Sequence, residues 1–230
     1  MGLRRQLRKL LGYKEPSGYL NDSYAQEGED IFLDCLFKSK PNGFYVDIGA
    51  HHPIRFSNTY KFYRKGWQGI NIDATPGSMA PFNNLRPNDI NLEIPVSDKI
   101  ETLPFYIFDE PALNTFIEEA AKEITRDDFY KIERIENITT KPLRDILREN
   151  LKSGTQIDFL TVDAEGFDFK VLNSNDWELY RPGIVLFEAD IPIEEISASD
   201  VAVLLVSKGY SLYGKTLRTY FFKADNFKVN

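Results

Sequence analysis

Short apolar runs alternate with longer amphipathic segments along most of this chain. Four runs of branched and aromatic residues predict buried strands over 44–48, 69–73, 157–163 and 183–188, and an alternating segment predicts another over 90–98. Runs that are apolar on both faces are typical of central parallel strands covered by helices on both sides. The connecting segments predict helices over 31–37, 58–65, 142–150 and 198–208, with a further helix opening at 169–172.

Two regions depart from this alternation. Residues 210–213 and 219–222 predict a closing, hairpin-like strand pair. Residues 103–108 predict a strand that extends the main sheet, and the charged residues 115–137 predict mostly helix. Because residues 104–140 interrupt the order of strands and helices, they predict a substrate-side insertion or lid, with a peripheral helical cover as the alternative.

The overall composition bounds the protein class. The 230 residues fit one domain, predicted over 19–230, and the net charge of −7 argues against general nucleic-acid binding. The single cysteine, Cys35, excludes an internal disulfide and suits a reducing cytoplasm. No apolar run approaches the ~18 residues of a membrane span, and the N-terminus lacks the apolar region of a signal peptide. We therefore expect a cytoplasmic protein with no integral membrane segment.

Residues 1–18 are predicted to be a basic N-terminal segment and linker. Four basic residues stand among leucines at helical spacing within residues 1–11. One interpretation is a weak peripheral contact with an anionic membrane or a partner groove. The alternative is a short solvated helix without a partner.

Acidic residues stand at the carboxyl ends of four predicted strands, at Asp47, Asp73, Asp163 and Glu188. Open α/β sheets bind ligands at this edge. Clustered carboxylates are costly there unless they meet donors or cations, so we expect ligand contacts. Asp73 is placed to accept hydrogen bonds from a ribose diol, and Asp47 to orient the Gly49 loop or to meet a cationic group. The pattern predicts a nucleoside-binding crevice.

The loop after the first strand argues against common nucleotide motifs. It lacks a G-x-G-x-x-G pattern, Pro53 removes an N–H that a pyrophosphate would need, and the chain has no P-loop motif. Both histidines of the chain, His51 and His52, fall in this loop. They suggest a catalytic base or a metal pair, or else loop packing. Adjacent residues in extended chain point opposite ways, so we do not expect both to serve one site.

Four motifs together resemble the FkbM family of S-adenosylmethionine-dependent O-methyltransferases, over about residues 20–190. They are Ser23–Asp30, Val46–Ala50, Gly66–Asp73 and Ile157–Gly166. The run Val46–Ala50 resembles the first motif of class I methyltransferases, although His51 stands where that motif normally continues with a small residue. The resemblance implies a Rossmann-like, doubly wound, mostly parallel seven-stranded sheet that ends in an antiparallel strand pair.

The same resemblance implies S-adenosylmethionine as the cofactor. Gly49 and Ala50 would pass close to its methionine part, Asp73 would hold its ribose, and Ser97 and Asp98 would lie near its adenine. The complete predicted cofactor set is Asp47, Gly49, Ala50, Asn58, Asp73, Ala74, Ser97 and Asp98.

Methyl transfer to a hydroxyl needs alignment of the two reactants and removal of the hydroxyl proton. A sugar hydroxyl is a very weak acid and needs a base or a metal. The predicted catalytic residues are Asp163, His51 and Glu165, of which Glu165 is placed to bind acceptor hydroxyls. Asp163 and Glu188, on adjacent strand ends, are placed to hold Mg²⁺. Capping of the following helix is the alternative for Asp163 and Glu165.

The resemblance therefore implies an O-methyltransferase that acts on a sugar hydroxyl, of a nucleotide-linked sugar or a cell-surface polysaccharide precursor. One alternative acceptor is a secondary metabolite, although the charged residues 109–137 favour a polar acceptor. A second alternative is a non-catalytic methyltransferase-like scaffold. The acids at all four strand ends argue against that scaffold, and the oligomeric state stays open.

Replacement of the ribose-binding acid tests the assignment of the crevice. We expect Asp73→Ala to abolish binding of S-adenosylmethionine, because the diol loses its acceptor. Calorimetric titration of the variant with S-adenosylmethionine measures this, and an unchanged affinity would contradict the assignment.

Overall fold

The computed structural model describes residues 20–229, so the predicted basic segment 1–18 lies outside the described residues. Within that range the strands are β1 (Phe44–Ile48), β2 (Gln68–Asp73), β3 (Ile90–Glu93), β4 (Thr102–Phe108), β5 (Ile132–Thr139), β6 (Phe159–Val162), β7 (Ile184–Glu188), β8 (Tyr210–Lys215) and β9 (Thr219–Ala224). The α-helices are α1 (Glu29–Leu36), α2 (Tyr60–Arg64), α3 (Met79–Leu85), α4 (Glu118–Ile124), α5 (Leu143–Asn150), α6 (Asp168–Asn173) and α7 (Asp200–Ser207). None of the helices in this range is of a length and apolarity that would allow it to cross a membrane.

Seven strands form one sheet in the order β3-β2-β1-β6-β7-β9-β8. The first five are parallel, whereas β9 runs antiparallel to β7 and β8 antiparallel to β9. This arrangement confirms the predicted class I methyltransferase sheet with its antiparallel C-terminal pair. The direction of winding reverses between β1 and β6, and such a switch point opens a crevice at the carboxyl ends of the strands.

The central strand β1 is buried on both faces, as its apolar sequence predicts. Val46 and Ile48 pack into a cluster with residues of α5, α6 and α7, while Tyr45 packs on the other face with Leu33 of α1 and Phe62 of α2. Burial of a large apolar side chain contributes about 1.5–3 kcal/mol. The two clusters therefore hold the sheet between two helical layers and fix its carboxyl edge.

Residues 102–139 fold differently from the prediction. β4 and β5 pair with each other as a separate two-stranded sheet, so 103–108 does not extend the main sheet. The prediction of mostly helix over 115–137 is wrong as well, because helix covers only α4 and is followed by β5. Ile132, Ile135 and Ile138 recur every three residues, which imitates a helical period. Their branched side chains fit a strand, and pairing with β4 decides the outcome.

Gly49 stands where the backbones of two strand ends meet. Its φ is +77°, and a Cβ atom there would lie 1.7 Å from the carbonyl oxygen of Asp163. The Asp163 N–H donates to the Ile48 carbonyl at 2.9 Å, and the Gly49 N–H donates to the Ile72 carbonyl at 2.9 Å. The ends of β1, β2 and β6 are thus joined through backbone atoms, with no room for a side chain at residue 49.

Two glycine variants separate backbone strain from this close approach. Gly154 has a φ of +79°, but a Cβ atom there would meet no atom within 4 Å, so Gly154→Ala is the matched control. We expect Gly154→Ala to lower the free energy of unfolding by about 1–2 kcal/mol at most, the cost of the left-handed conformation. Gly49→Ala adds overpacking and is expected to cost roughly 3 kcal/mol or more. Urea unfolding followed by circular dichroism measures both, and equal costs would contradict the close contact.

Candidate active site

A cleft of about 230 Å³ opens at the carboxyl edge of the parallel strands. Its walls come from the loops after β1, β2, β6 and β7, from the β4 region and from the β8–β9 loop. The cleft lies beside the switch point between β1 and β6, where open sheets of this kind bind ligands. The predicted site residues that line it are Gly49, His51, Asp73, Ala74, Asp163, Glu165 and Glu188.

Two predicted cofactor residues, Asp47 and Asn58, lie behind the cleft wall instead. The Asp47 carboxylate accepts a hydrogen bond from the Thr59 hydroxyl at 2.7 Å, and burial raises the pKa of Asp47 to about 6. The Asn58 amide donates to the Thr161 hydroxyl at 3.0 Å. Both side chains therefore brace the loop after β1 against the sheet, and a direct contact with the cofactor stays a prediction.

A buried arginine that the sequence did not reveal completes this support. Arg86 donates from Nε to Asp89 at 2.9 Å, from Nη1 to the Thr59 hydroxyl at 3.0 Å and from Nη2 to the Tyr45 hydroxyl at 2.9 Å. A charge removed from water is costly unless it is paired and hydrogen-bonded in this way. Arg86 thus connects β1 to the loop that carries Asn58 and Thr59.

The remaining predicted cofactor residues, Ala50, Ser97 and Asp98, are also not among the residues that line the cleft. Ala50 is buried and packs with Met79 and Phe82 of α3. Ser97 is fully buried, and its hydroxyl donates to the Asp98 carboxylate at 3.3 Å. Ile94 and Val96, in the same segment after β3, line the cleft instead. The segment predicted to meet the adenine is present at the cleft, and its apolar residues face the ligand space.

Asp73 orders the loops on both sides of it. Its carboxylate accepts from the backbone N–H of His51 at 2.9 Å and from that of Thr75 at 2.7 Å. Each carboxylate oxygen has two acceptor directions, so capacity remains for a ligand hydroxyl. Asp73 is therefore both a brace of the cleft wall and an acceptor exposed to the cleft.

The two histidines have different surroundings. His51 lines the cleft with a φ of +52°, and its Nε2 is buried without a hydrogen-bond partner among residues 20–229. Burial lowers the pKa of His51, although Asp73 opposes the shift, so the ring is neutral at pH 7 and able to accept a proton. His52 Nδ1 instead accepts from the backbone N–H groups of Ile54 and Arg55 at 3.1 and 2.9 Å. It shapes the loop.

Three carboxylates face one part of the cleft. Asp163 and Glu165 accept no hydrogen bond through their side chains from the described residues, whereas Glu188 lies 3.2 Å from Nη1 of Arg218. Burial raises the pKa of Asp163 well above its usual range and that of Glu165 to about 7, with nearby carboxylates adding to both shifts. The pKa of Glu165 is thus close to neutrality, the range that suits general acid–base chemistry, and the pKa of Asp163 is raised in the same direction.

The exit loop of β6 is capped by a different acid. Asp168 accepts from the backbone N–H groups of Ala164 and Gly166, both at 3.3 Å. Capping of the following helix was the alternative interpretation of Asp163 and Glu165, but the N-cap residue of α6 is Phe167 and no side chain caps it, while Asp168 stabilises the loop before that helix. Asp163 and Glu165 are thus left available to a ligand.

The described residues hold no ready-made metal cage. No group of three or more histidine, cysteine, aspartate or glutamate side chains between residues 20 and 229 is arranged to hold a metal ion. Asp163 and Glu188 supply two carboxylates, and Mg²⁺ takes about six ligands, so water or acceptor oxygens would have to supply the rest. Mg²⁺ binding at this pair stays a prediction.

Several cleft residues were not predicted from the sequence. Gln26 lies in the Ser23–Asp30 run that resembles the family, but that resemblance implies no role for Gln26. Arg218 gave no signal, because its place depends on how the β8–β9 loop folds back towards β7. The aromatic part of the wall was also missed, and it consists of Phe56, Phe105, Phe116 and Phe167.

Comparisons with known proteins identify the family of the chain. The family described as the methyltransferase FkbM domain matches residues 47–212. No curated protein matches the chain at a significant level. Among solved structures, precorrin-6y C5,15-methyltransferase from Geobacter metallireducens is 11% identical, with a TM-score of 0.42 over 85% of this chain and 86% of that chain. A TehB-like S-adenosylmethionine-dependent methyltransferase from Corynebacterium glutamicum is 10% identical, with a TM-score of 0.40 over 97% and 100% of the chains.

The raised pKa of Glu165 predicts a pH-dependent stability. Its ordinary value is 4.5 and its folded value is about 7, so the folded state holds this proton more tightly than the unfolded state. The resulting stability is fully present below pH 4.5 and is lost as the pH rises through 7. We therefore expect Glu165→Gln to unfold at a higher urea concentration than the wild type at pH 8 and at a similar one at pH 4.

The matched control for this experiment is Glu178→Gln, since Glu178 is exposed and does not line the cleft. Its urea midpoint should follow that of the wild type at both pH values. Equal midpoints of Glu165→Gln and the wild type at pH 8 would contradict the raised pKa of Glu165 in the folded protein.

Proposed function

Since the chain belongs to the FkbM family of S-adenosylmethionine-dependent methyltransferases, we propose that it methylates a sugar hydroxyl, of a nucleotide-linked sugar or a cell-surface polysaccharide precursor. The observation that carries this proposal concerns two carboxylates beside the Gly49 loop, Asp163 and Glu165. Both line the cleft, and neither side chain accepts a hydrogen bond from residues 20–229. A neutral acceptor rich in hydroxyl groups supplies the donors that these carboxylates lack. The proposal makes the protein an O-methyltransferase.

The residues on the β1–β3 side of the cleft fit S-adenosylmethionine. Gly49 allows a close approach to the backbone, Asp73 retains acceptor capacity for a ribose hydroxyl, and Ile94 and Val96 offer apolar surface to an adenine ring. When bound, this molecule supplies a methyl group on a positively charged sulfonium centre. The carboxylates of the cleft favour that charge electrostatically.

The acceptor side needs a group that removes a hydroxyl proton. Asp163 and Glu165 have raised pKa values and no side-chain hydrogen-bond partner in the described part of the chain, so each is a stronger base than an ordinary carboxylate and is free to receive a proton. His51 is neutral, and its buried Nε2 has no hydrogen-bond partner among residues 20–229, which makes it the other candidate base. We assign proton removal to Asp163, and binding of neighbouring acceptor hydroxyls to Glu165.

The aromatic residues of the wall favour a second acceptor class. Phe56, Phe105, Phe116 and Phe167 bring apolar surface to the cleft, and a secondary metabolite with an apolar ring system fits such a wall. Sugar rings also pack their C–H faces on aromatic rings. The carboxylates Asp163 and Glu165 favour the sugar, because an apolar acceptor would bring them no hydrogen-bond donor.

Two further parts of the proposal concern the metal and the compartment. As the alternative to a carboxylate base, Mg²⁺ held by Asp163 and Glu188 would lower the pKa of an acceptor hydroxyl, and activity that EDTA removes would support this alternative. A cytoplasmic location is supported by the single cysteine, Cys35. Cell fractionation tests the location independently of the enzyme assay.

The decisive experiment combines donor binding with an acceptor panel. Calorimetric titration with S-adenosylmethionine is followed by methyl-transfer assays on methyl glycosides, nucleotide-linked sugars and macrolides, each with Mg²⁺ and with EDTA. Turnover of a sugar supports the proposal, and turnover of macrolides alone supports the second acceptor class. Absence of donor binding under all conditions would overturn the enzyme and favour a binding scaffold.

Asp163→Asn tests the assignment of the base. We expect kcat to fall by about 100-fold or more with little change in affinity for S-adenosylmethionine, because proton removal contributes on this scale. Asp127→Asn is the matched control, since Asp127 is exposed and does not line the cleft. A kcat of Asp163→Asn equal to that of the control would assign proton removal to another group.

A further inference from the structure

Arg218 differs in charge from every other ionisable residue of the cleft wall. Within the described chain, the lining includes four acids, Asp73, Asp163, Glu165 and Glu188, but no lysine and no arginine other than Arg218. The guanidinium lowers the pKa values of Glu165 and Glu188, although burial still leaves both raised. It therefore provides the positive charge that an acidic cleft presents to an incoming acceptor.

The guanidinium is held from two sides. Nε donates to one oxygen of Glu27 at 2.7 Å, the backbone N–H of Arg218 donates to the other at 2.7 Å, and Nη1 lies 3.2 Å from Glu188. Nη2 has no hydrogen-bond partner among residues 20–229. The side chain is 37% exposed and lines the cleft, which leaves its remaining donors available to a ligand there.

Glu27 is itself held in place by the segment around it. Its backbone N–H donates to Glu29 at 2.9 Å, and the buried Glu29 carboxylate accepts from the hydroxyl groups of Thr216 and Thr219 at 2.7 and 3.2 Å. Burial would raise the pKa of Glu27, but the bonds from Arg218 outweigh it and the pKa is lowered. Glu27 is therefore charged at neutral pH and is fixed against the β8–β9 loop.

The family match does not include this arrangement. It covers residues 47–212, which contain Glu188, whereas Glu27 precedes that range and Arg218 follows it. The residues that frame the donor side, such as Gly49 and Asp73, all lie inside the range. Both ends of the ion pair thus lie outside the matched range, although Glu27 falls within the Ser23–Asp30 run that resembles the family.

We propose that Arg218 binds an oxygen of the acceptor and that Glu27 is the positioning residue that aims its guanidinium. The inference deepens the proposed function and rests on it, because it assumes a hydroxyl-rich acceptor in this cleft. Arg218 donates to one acceptor oxygen while the adjacent Glu188 accepts from a neighbouring hydroxyl. Such a donor–acceptor pair recognises two hydroxyl groups on adjacent ring carbons and discriminates against acceptors that lack either one.

The test compares Arg218→Gln, Glu27→Gln and the double variant with the wild type. The probes are methyl glycosides of hexoses and 6-deoxyhexoses, titrated by NMR into protein saturated with S-adenosylhomocysteine. Because hydrogen bonds to charged groups are strong, we expect Arg218→Gln to weaken glycoside binding about 10- to 100-fold. Glu27→Gln should weaken it less, and should add nothing in the Arg218→Gln background.

Kinetic readouts separate this role from a structural one. KM for the acceptor should rise in both single variants, while affinity for S-adenosylmethionine stays within about twofold of the wild type, since the donor side is built elsewhere. Glu123→Gln is the control, because Glu123 of α4 forms an exposed ion pair with Arg126, which follows that helix. If Glu27→Gln does not fold, Arg218→Lys replaces it, since a lysine cannot reach Glu27 and Glu188 with a planar fork.

Each outcome decides the inference. Wild-type binding that is unchanged in Arg218→Gln would overturn it and leave the proposed function intact. A tenfold loss of S-adenosylmethionine affinity in Arg218→Gln would place Arg218 on the donor side and also overturn it. A wild-type protein that binds the donor but none of the glycosides would overturn the proposed acceptor class, and the role of Arg218 with it.

Discussion

The backbone contact between Gly49 and Asp163 is the constraint on which the site depends. A Cβ atom on Gly49 would lie 1.7 Å from the Asp163 carbonyl oxygen, so the first cofactor loop and the acidic end of β6 share one fixed position. The Gly49 N–H is used by the Ile72 carbonyl, which ties β2 into the same unit. His51, Asp73 and Asp163 lie at the ends of these three strands. Backbone contacts at Gly49 therefore fix their relative positions, and no side chain is needed at residue 49.

Electrostatics at this junction favour a bound over an empty cleft. Desolvation and the nearby Glu188 carboxylate raise the pKa values of Asp163 and Glu165, so their ionised forms are costly in the empty protein. A ligand that brings a cation or several hydroxyl donors relieves this cost and gains affinity from it. The ionised carboxylates are therefore unfavourable in the empty cleft. Asp168 and Asp73, in contrast, accept hydrogen bonds from backbone N–H groups of the surrounding loops.

Features set by local sequence could be predicted, and features set by distant contacts could not. The buried strands and the acids at their ends follow from runs such as Val46–Ala50, because apolar period and glycine position act locally. β5 was missed, since its isoleucines recur every three residues and only pairing with β4 makes them a strand. Arg86 was missed because its partners Tyr45 and Thr59 lie far from it in sequence. Nothing local distinguishes a buried arginine from an exposed one.

The two sides of the cleft differ in how a single substitution would affect them, because one depends on backbone contacts and the other on contacts between side chains. The proposed donor side rests on backbone contacts, as at Gly49, where any side chain would separate two strands. The proposed acceptor side rests on an ion pair between residues 191 positions apart, Glu27 and Arg218, which close the wall from opposite ends of the described chain. A substitution in that pair changes charge and hydrogen bonding without moving a strand. Under the proposed function, single substitutions there would change acceptor preference while the donor site and the fold are retained.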